Sequence, residues 1–242
     1  MLKQLGLTRV VLVQPSFYRT DNSCMLDAMA QLDGARGVAV LPPQVAESEL
    51  DSLHAQGVRG LRVNIATTGS APIATIRDAI QAAASLCVRH RWHVQIFVGS
   101  ETIEPLAPVL RSLPVDTMID HFGLIARGTK DGPLRPLLAL LETGKIWVKI
   151  SGAYRIADDP NDLRIAPLAR ALCAANPERI VWGSDWPHTP RHDLRKPNAN
   201  EELPFQKIDT RGLLELVPKW IEDDALVRRV LVTNPDQLYG FN

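Results

Sequence analysis

Asp185 stands directly after a short apolar run, Ile180-Val181-Trp182-Gly183, and a single serine, and is followed by Trp186, Pro187 and His188. Ile, Val and Trp suit a half-buried strand, and Pro187 stops regular structure beyond it. A carboxylate at the carboxyl end of a strand lies where α/β folds bind ligands; its ordinary structural use there is to cap the next turn. The same kind of position recurs along the chain. Gln14 and Ser16, Arg62 and Asn64, Gln95, Asp120 with His121, and Lys149 with Ser151 each fall at the end of an apolar segment. Each has a plain alternative. Arg62 could be a paired buried charge, Lys149 an internal cross-link, His121 a hydrogen-bonded core histidine and His188 a loop residue. His54, His90 and His192 fall on helices or loops and read as surface. Taken together, a carboxylate, imidazoles, an arginine and several hydroxyl and amide groups make up a mouth suited to hydrolysis of a small anionic substrate.

The elements that would position these groups alternate between strand and helix. Strands are expected at residues 9–14, 37–41, 58–65, 93–98, 117–120, 146–150 and 180–183, from their β-branched content and flanking turn residues. Helices are expected at 24–32, 47–56, 72–90, 104–112, 134–141, 162–175, 210–217 and 223–232, the longest carrying Ile73, Ile76 and Ile80 at helical spacing. Residues 187–207 read as a loop forming part of the mouth, and residues 233–241 as a tail. Alternation of this kind builds a parallel sheet covered by helices. Residues two apart in a strand share a face. Leu61, Val63 and Ile65 therefore oppose Gly60, Arg62 and Asn64; Val94, Ile96 and Val98 oppose His93, Gln95 and Phe97; Val148 and Ile150 oppose Trp147, Lys149 and Ser151. In the first strand Val11 and Val13 are placed on the helix-facing side, opposite Gln14 and Ser16. An open doubly wound sheet needs both faces apolar, whereas a barrel whose inner face turns polar at its mouth accounts for this pattern. The fold class expected is α/β, a TIM-type (β/α) barrel with seven readable strands.

Composition removes several function classes. Lys plus Arg and Asp plus Glu number 27 each, so no net field draws nucleic acid or a membrane surface. Cys24, Cys87 and Cys173 form no close pair, which argues against a zinc cluster or a disulfide framework and for a cytoplasmic setting. The first βα turn, Gln14-Pro15-Ser16-Phe17-Tyr18, lacks the glycines of a nucleotide site. No Gly-x-Ser-x-Gly elbow is present either.

Gly183-Ser184-Asp185-Trp186-Pro187-His188, the Asp120-His121 pair before Phe122-Gly123, and the strand Arg59-Gly60-Leu61-Arg62-Val63-Asn64 resemble the amidohydrolase-related, 2-pyrone-4,6-dicarboxylate lactonase-like family. The opening run to Ser16 with Tyr18 and Asp21-Asn22, and the closing Asn234-Pro235 with Leu238-Tyr239-Gly240, fit the same family, so the resemblance runs over essentially the whole chain. It implies a (β/α)8 barrel that hydrolyses lactones or related carboxylated rings, some members with a metal and others without. By that resemblance Asp185 is the general base and His121 stabilises the oxyanion. Arg62 holds a substrate carboxylate, and Ser16, Tyr18, Asn64, Gln95, Arg155 and His188 add substrate contacts.

The chain departs from that pattern in places. It has no His-x-His pair, which the family carries on its first strand; Leu124 follows Gly123 where the dicarboxylate lactonases place an arginine; and Phe97 stands where they have a tyrosine. Seven strands instead of eight imply a barrel lacking its first strand, and residues 1–242 then read as one N-terminally truncated domain; an upstream reading frame encoding the pair would support this. Without the pair, a zinc or manganese ion could draw only on His121 and Asp185, short of the three or four ligands zinc takes. The cofactor expectation is therefore none, or one divalent metal ion. The partner expected is a small carboxylated molecule, with no nucleic acid and no membrane, and a homo-oligomer is left open. The alternatives to a lactonase are a catalytically impaired barrel that only binds ligands, and a metal-dependent amidase or decarboxylase of the same superfamily.

Overall fold

The computed structural model describes residues 2–65, 71–125, 132–159, 161–190 and 203–241. Among these residues seven strands form one all-parallel sheet in sequence order: β1 (Val11–Val13), β2 (Arg36–Ala39), β3 (Val58–Asn64), β4 (His93–Phe97), β5 (Thr117–Ile119), β6 (Ile146–Ser151) and β7 (Ile180–Gly183). A parallel neighbour can be reached only by a crossover, and helices supply it, among them Ile73–Cys87, Ile103–Ser112, Leu134–Leu141 and Ala166–Ala175. The sheet curls into a half-barrel with the helices outside. The seven strands and the barrel-type α/β class expected from the sequence are those found.

Register decides which side chains share the concave face. Arg62 pairs with Gln95 and Asn64 with Phe97; Gln95 pairs with Met118, and Met118 with Trp147; Lys149 pairs with Val181 and Ser151 with Gly183. Paired residues in a sheet point the same way. The opposite, helix-facing side is apolar: Leu61, Val94, Ile96, Val148 and Ile180 pack into one core with Ile76, Ile80, Leu106, Leu137 and Leu172. On the concave side Met118, Trp147 and Val181 form a separate apolar floor, joined by Leu238.

The first strand corrects the sequence reading. Val13 pairs with Val38, and Val38 with Gly60, so Val13 lies on the concave side with Arg62, not on the helix-facing side. The pairing slips between Gly37 and Val38, and the sulfur of Met29 occupies the space a Gly37 side chain would fill. Gln14 accordingly turns away from the concave face. Its side-chain amide donates to the carbonyls of Arg19 (3.3 Å) and Asp21 (2.6 Å), pinning the loop after β1.

Two helix boundaries also differ. The helix expected from Asp162 starts at Ala166, because the Asp162 carboxylate accepts from Arg164 N and holds residues 163–165 in a tighter turn. Residues expected to be a tail form a helix, Asn234–Tyr239. Asn234 is fully buried, and its amide donates to the carbonyls of Pro177 (2.8 Å) and Ile180 (2.7 Å), fixing this helix beneath β7. Tyr239 lies edge-on to His93 at 5.4 Å, and Arg36 donates to the carbonyls of Tyr239 and Gly240. The C-terminal segment thereby closes the amino end of the half-barrel. No helix among the described residues is long and apolar enough to cross a membrane.

Removing the Asn234 amide strands two buried acceptors, each costing about 1–3 kcal/mol. Asn234→Ala should lower unfolding stability by about 2–4 kcal/mol in urea titrations; an unchanged midpoint would show that the C-terminal helix is not held this way.

Candidate active site

The polar groups gather where β3, β5, β6 and β7 end. After β5 the chain reverses through four consecutive residues with positive φ, His121 (51°), Phe122 (54°), Gly123 (65°) and Leu124 (51°). Left-handed non-glycine residues are strained and cluster at functional sites. Gly123 is required here, since a Cβ would meet Leu137 Cδ2 at 2.9 Å. The turn sets the His121 ring inward, 4% exposed, edge-on to Phe97 at 4.9 Å, with Nδ1 2.9 Å from Ser151 Oγ. Asp185 also takes a positive φ, 58°, which aspartate tolerates better than most residues.

Asp185 Oδ2 is the focus of the site. It accepts from Arg155 Nε at 2.5 Å and from Tyr154 Oη at 2.6 Å, and His121 Nδ1 lies 3.9 Å away. Its other oxygen, Oδ1, takes no hydrogen bond from the described residues. Burial pushes this carboxyl up, but His121, the Arg155 cation and the Tyr154 hydroxyl outweigh it and hold it down at about 2. Burial also drives the His121 ring down to about 4, against the pull of Asp185 and Asp120. At neutral pH the pair is therefore a carboxylate facing a neutral imidazole, and Arg155 is its permanent cation.

Below lies a second ionic layer. Lys149 Nζ sits 2.7 Å from Asp120 Oδ1, and Gln95 Nε2 donates to Asp120 Oδ2 at 3.1 Å. Burial pushes the Asp120 carboxyl up, while Lys149, His121 and Arg62 draw it below its ordinary value. Arg62 donates from Nη1 to the Gln14 carbonyl at 3.0 Å, and its buried Nε has no hydrogen-bond partner among the described residues. Among the described residues the concave face and its rim thus carry Arg62, Lys149 and Arg155 against Asp120 and Asp185, an excess of one positive charge.

The sequence candidates divide by position. Asp185, His121 and Arg155 are in mutual contact, and Arg62 feels the charges of Asp120, Asp185 and Arg155. Asn64 lies beside Phe97 on the concave side. Gln95 is fully buried as a support for Asp120 and so sits beneath the mouth. His188 is also behind it: 3% exposed, with Nε2 2.8 Å from Thr210 Oγ1 and Nδ1 3.4 Å from Tyr154 Oη. Its placement is that of a prop for Tyr154. Ser16 and Tyr18 occupy the single turn after β1, and Tyr18 is exposed, its ring packed on Phe17 at 4.6 Å. Of the mouth loop, residues 191–202, including His192, lie outside the described residues. Sequence reasoning missed Tyr154, although its place beside Arg155 just past β6 was a usable signal.

Among the described residues no three His, Cys, Asp or Glu side chains converge on a common point. His121 and Asp185 are the nearest pair, but Oδ2 is already occupied by a cation and a hydroxyl donor. The donor set does not fit a divalent metal ion.

The amidohydrolase family profile matches residues 1–241. The chain is 31% identical over 247 residues to a 4-sulfomuconolactone hydrolase from Hydrogenophaga intermedia, an alignment covering 99% of this chain and 77% of that protein. It is 30% identical over 244 residues to a D-galactarolactone isomerase from Agrobacterium fabrum, covering 99% and 78%. Among solved structures, a probable 2-pyrone-4,6-dicarboxylic acid hydrolase from Acinetobacter baumannii, with citric acid bound, superposes with a TM-score of 0.80 at 28% identity, covering 99% of this chain and 86% of that one.

The buried histidines give the fold an acid limit. Burial holds His93 and His121 at about 4 against an ordinary 6.5. The unfolded chain therefore binds protons first: this stability is whole above about 6.5 and drains away as pH falls toward about 4. Tm should drop across that window, and His93→Gln with His121→Gln should flatten the drop. A wild-type Tm that is level there would contradict the burial of both rings.

Proposed function

The chain belongs to the amidohydrolase family, and from that premise we propose that it hydrolyses a lactone, or a related cyclic ester, carrying an anionic group. The observation that carries this reading is the ionised Asp185 with one oxygen anchored and the other open, facing a neutral imidazole in a cleft with excess positive charge. The names of the relatives, a sulfomuconolactone hydrolase and a lactone isomerase, and the citric acid in the Acinetobacter structure support a small anionic ring as substrate.

The chemistry follows from the groups present. A water on Asp185 Oδ1 gives up a proton to the carboxylate as its oxygen attacks the ring carbonyl. With the Ser151 hydroxyl donating to Nδ1, the His121 proton sits on Nε2 and can be offered to the oxygen that becomes negative. The acyl–oxygen bond of the ring then breaks, and the proton held by Asp185 passes to the leaving alkoxide. The product is the ring-opened hydroxy acid, and Asp185 returns to its ionised form. Arg62, with its unused buried Nε, is placed to bind a substrate carboxylate in the fork geometry that guanidinium offers.

A panel of carboxylated and sulfonated lactones in 18O-labelled water tests this. Hydrolysis puts one label in the new carboxylate; an isomeric lactone without label would assign the chain to isomerisation instead. Asp185→Asn should reduce kcat by about 10²–10⁴-fold, and His121→Ala by about 10²–10³-fold. Arg62→Met should raise KM chiefly for the carboxylated members. Turnover that survives Asp185→Asn would remove the carboxylate from its role.

A further inference from the structure

Arg155 is held in a way that binding alone does not require. Its Nε donates to Asp185 Oδ2 at 2.5 Å, the oxygen that Tyr154 already holds at 2.6 Å. The far end of the guanidinium is only lightly engaged: Nη2 donates to Thr189 Oγ1 at 3.2 Å, and Nη1 has no hydrogen-bond partner among the described residues. The side chain is 7% exposed and packs over the Tyr154 ring at 5.3 Å. Room for this contact depends on Gly152, with φ 58°, because a Cβ there would come within 2.6 Å of Asp185 Oδ2 and 3.2 Å of Arg155 Nε. Arg62, by contrast, is tied to the Gln14 carbonyl and makes no ion pair with Asp185.

A cation in contact with a carboxylate lowers its appetite for a proton, whereas a general base works best when its proton affinity approaches the working pH. The ligand-free arrangement is therefore a restrained base. We propose that Arg155 is a positioning residue that couples recognition of a substrate carboxylate to the basicity of Asp185. The incoming carboxylate takes the free end of the guanidinium and draws Nε off Oδ2. Tyr154 keeps the carboxylate in place while its proton affinity rises. A lactone lacking the carboxylate cannot draw Arg155 away and meets the restrained form. The selectivity thus lies in the state of the base as well as in affinity. This inference rests on the lactonase reading above.

The test uses one lactone with its carboxylate and the same ring without it, followed over the acid side of the pH profile. For the wild type, the acid limb of kcat for the carboxylated substrate should lie at higher pH than that of kcat/KM, since the first reports the complex and the second the free enzyme. In Arg155→Met the two limbs should coincide. The kcat/KM ratio of carboxylated to uncarboxylated lactone should fall by about ten- to a hundredfold, the loss of a charged hydrogen bond. If Arg155→Met does not fold, Arg155→Lys serves: its single ammonium cannot span Asp185 and substrate together, and the limbs should draw closer. Limbs that stay apart in the variant, or equal losses on both substrates, would overturn the role of Arg155 while leaving the hydrolase reading intact. Full activity in Asp185→Asn would instead remove Asp185 as the base, the part of the lactonase reading on which this role rests.

Discussion

The buried ion pair between Lys149 and Asp120 holds the concave face together. Lys149 comes from β6, Asp120 follows β5, and Gln95, which supports the carboxylate, comes from β4. Three neighbouring strands are thus tied by one charge cluster on their concave side. Removing one partner of such a pair leaves an uncompensated buried charge, at a cost of about 3–5 kcal/mol. The cluster also fixes the residue after Asp120, which is His121, and so sets where the imidazole enters the site. Burial of the ring, aided by the charges of Arg155 and Lys149, keeps that imidazole neutral.

Above this layer the charges are unequal, and that imbalance gives the site its direction. Arg62, Lys149 and Arg155 outnumber Asp120 and Asp185. Arg62 and Arg155 differ in their attachments: one leans on a backbone carbonyl, the other on a carboxylate. An anion entering the cleft therefore meets one cation free of carboxylate contact and one already engaged. Tyr154 and His188 form a wall behind Asp185, with Thr210 fixing the His188 ring from the helix Thr210–Ile221.

Much of this was legible in the residues. Parallel strands repeat with a period of two, so Arg62, Gln95 and Lys149 announced a polar inner face before any coordinates. The carboxyl-terminal position of Asp185 announced a site. What the sequence did not disclose came from register and from close approaches. The slip at Gly37 reversed the faces of β1, and no local pattern in Val11–Val13 could reveal that, because both of its faces are apolar. His188 looked like a mouth residue because it follows Asp185 closely, yet the turn between them sends its ring behind Tyr154. The C-terminal helix escaped notice because Asn234 and Pro235 read as chain breakers, whereas here the asparagine is a clamp on the turn before β7 and on β7 itself. Tyr154 showed no periodic signal at all, since it stands alone in a short turn.

The apolar floor of Met118, Trp147 and Val181 lies directly beneath the ionic layer and is sealed by Leu238. Trp147 is further anchored by its indole donating to Asp116 at 2.9 Å and by Arg179 stacked over its ring at 4.6 Å. These three side chains fill the concave face at that level with apolar packing. The polar groups lie at the carboxyl ends of the strands, on the far side of this packing from the C-terminal helix. Recognition and chemistry at Asp185 are therefore left to the loops that follow the strands, while the base of the half-barrel serves only as packing.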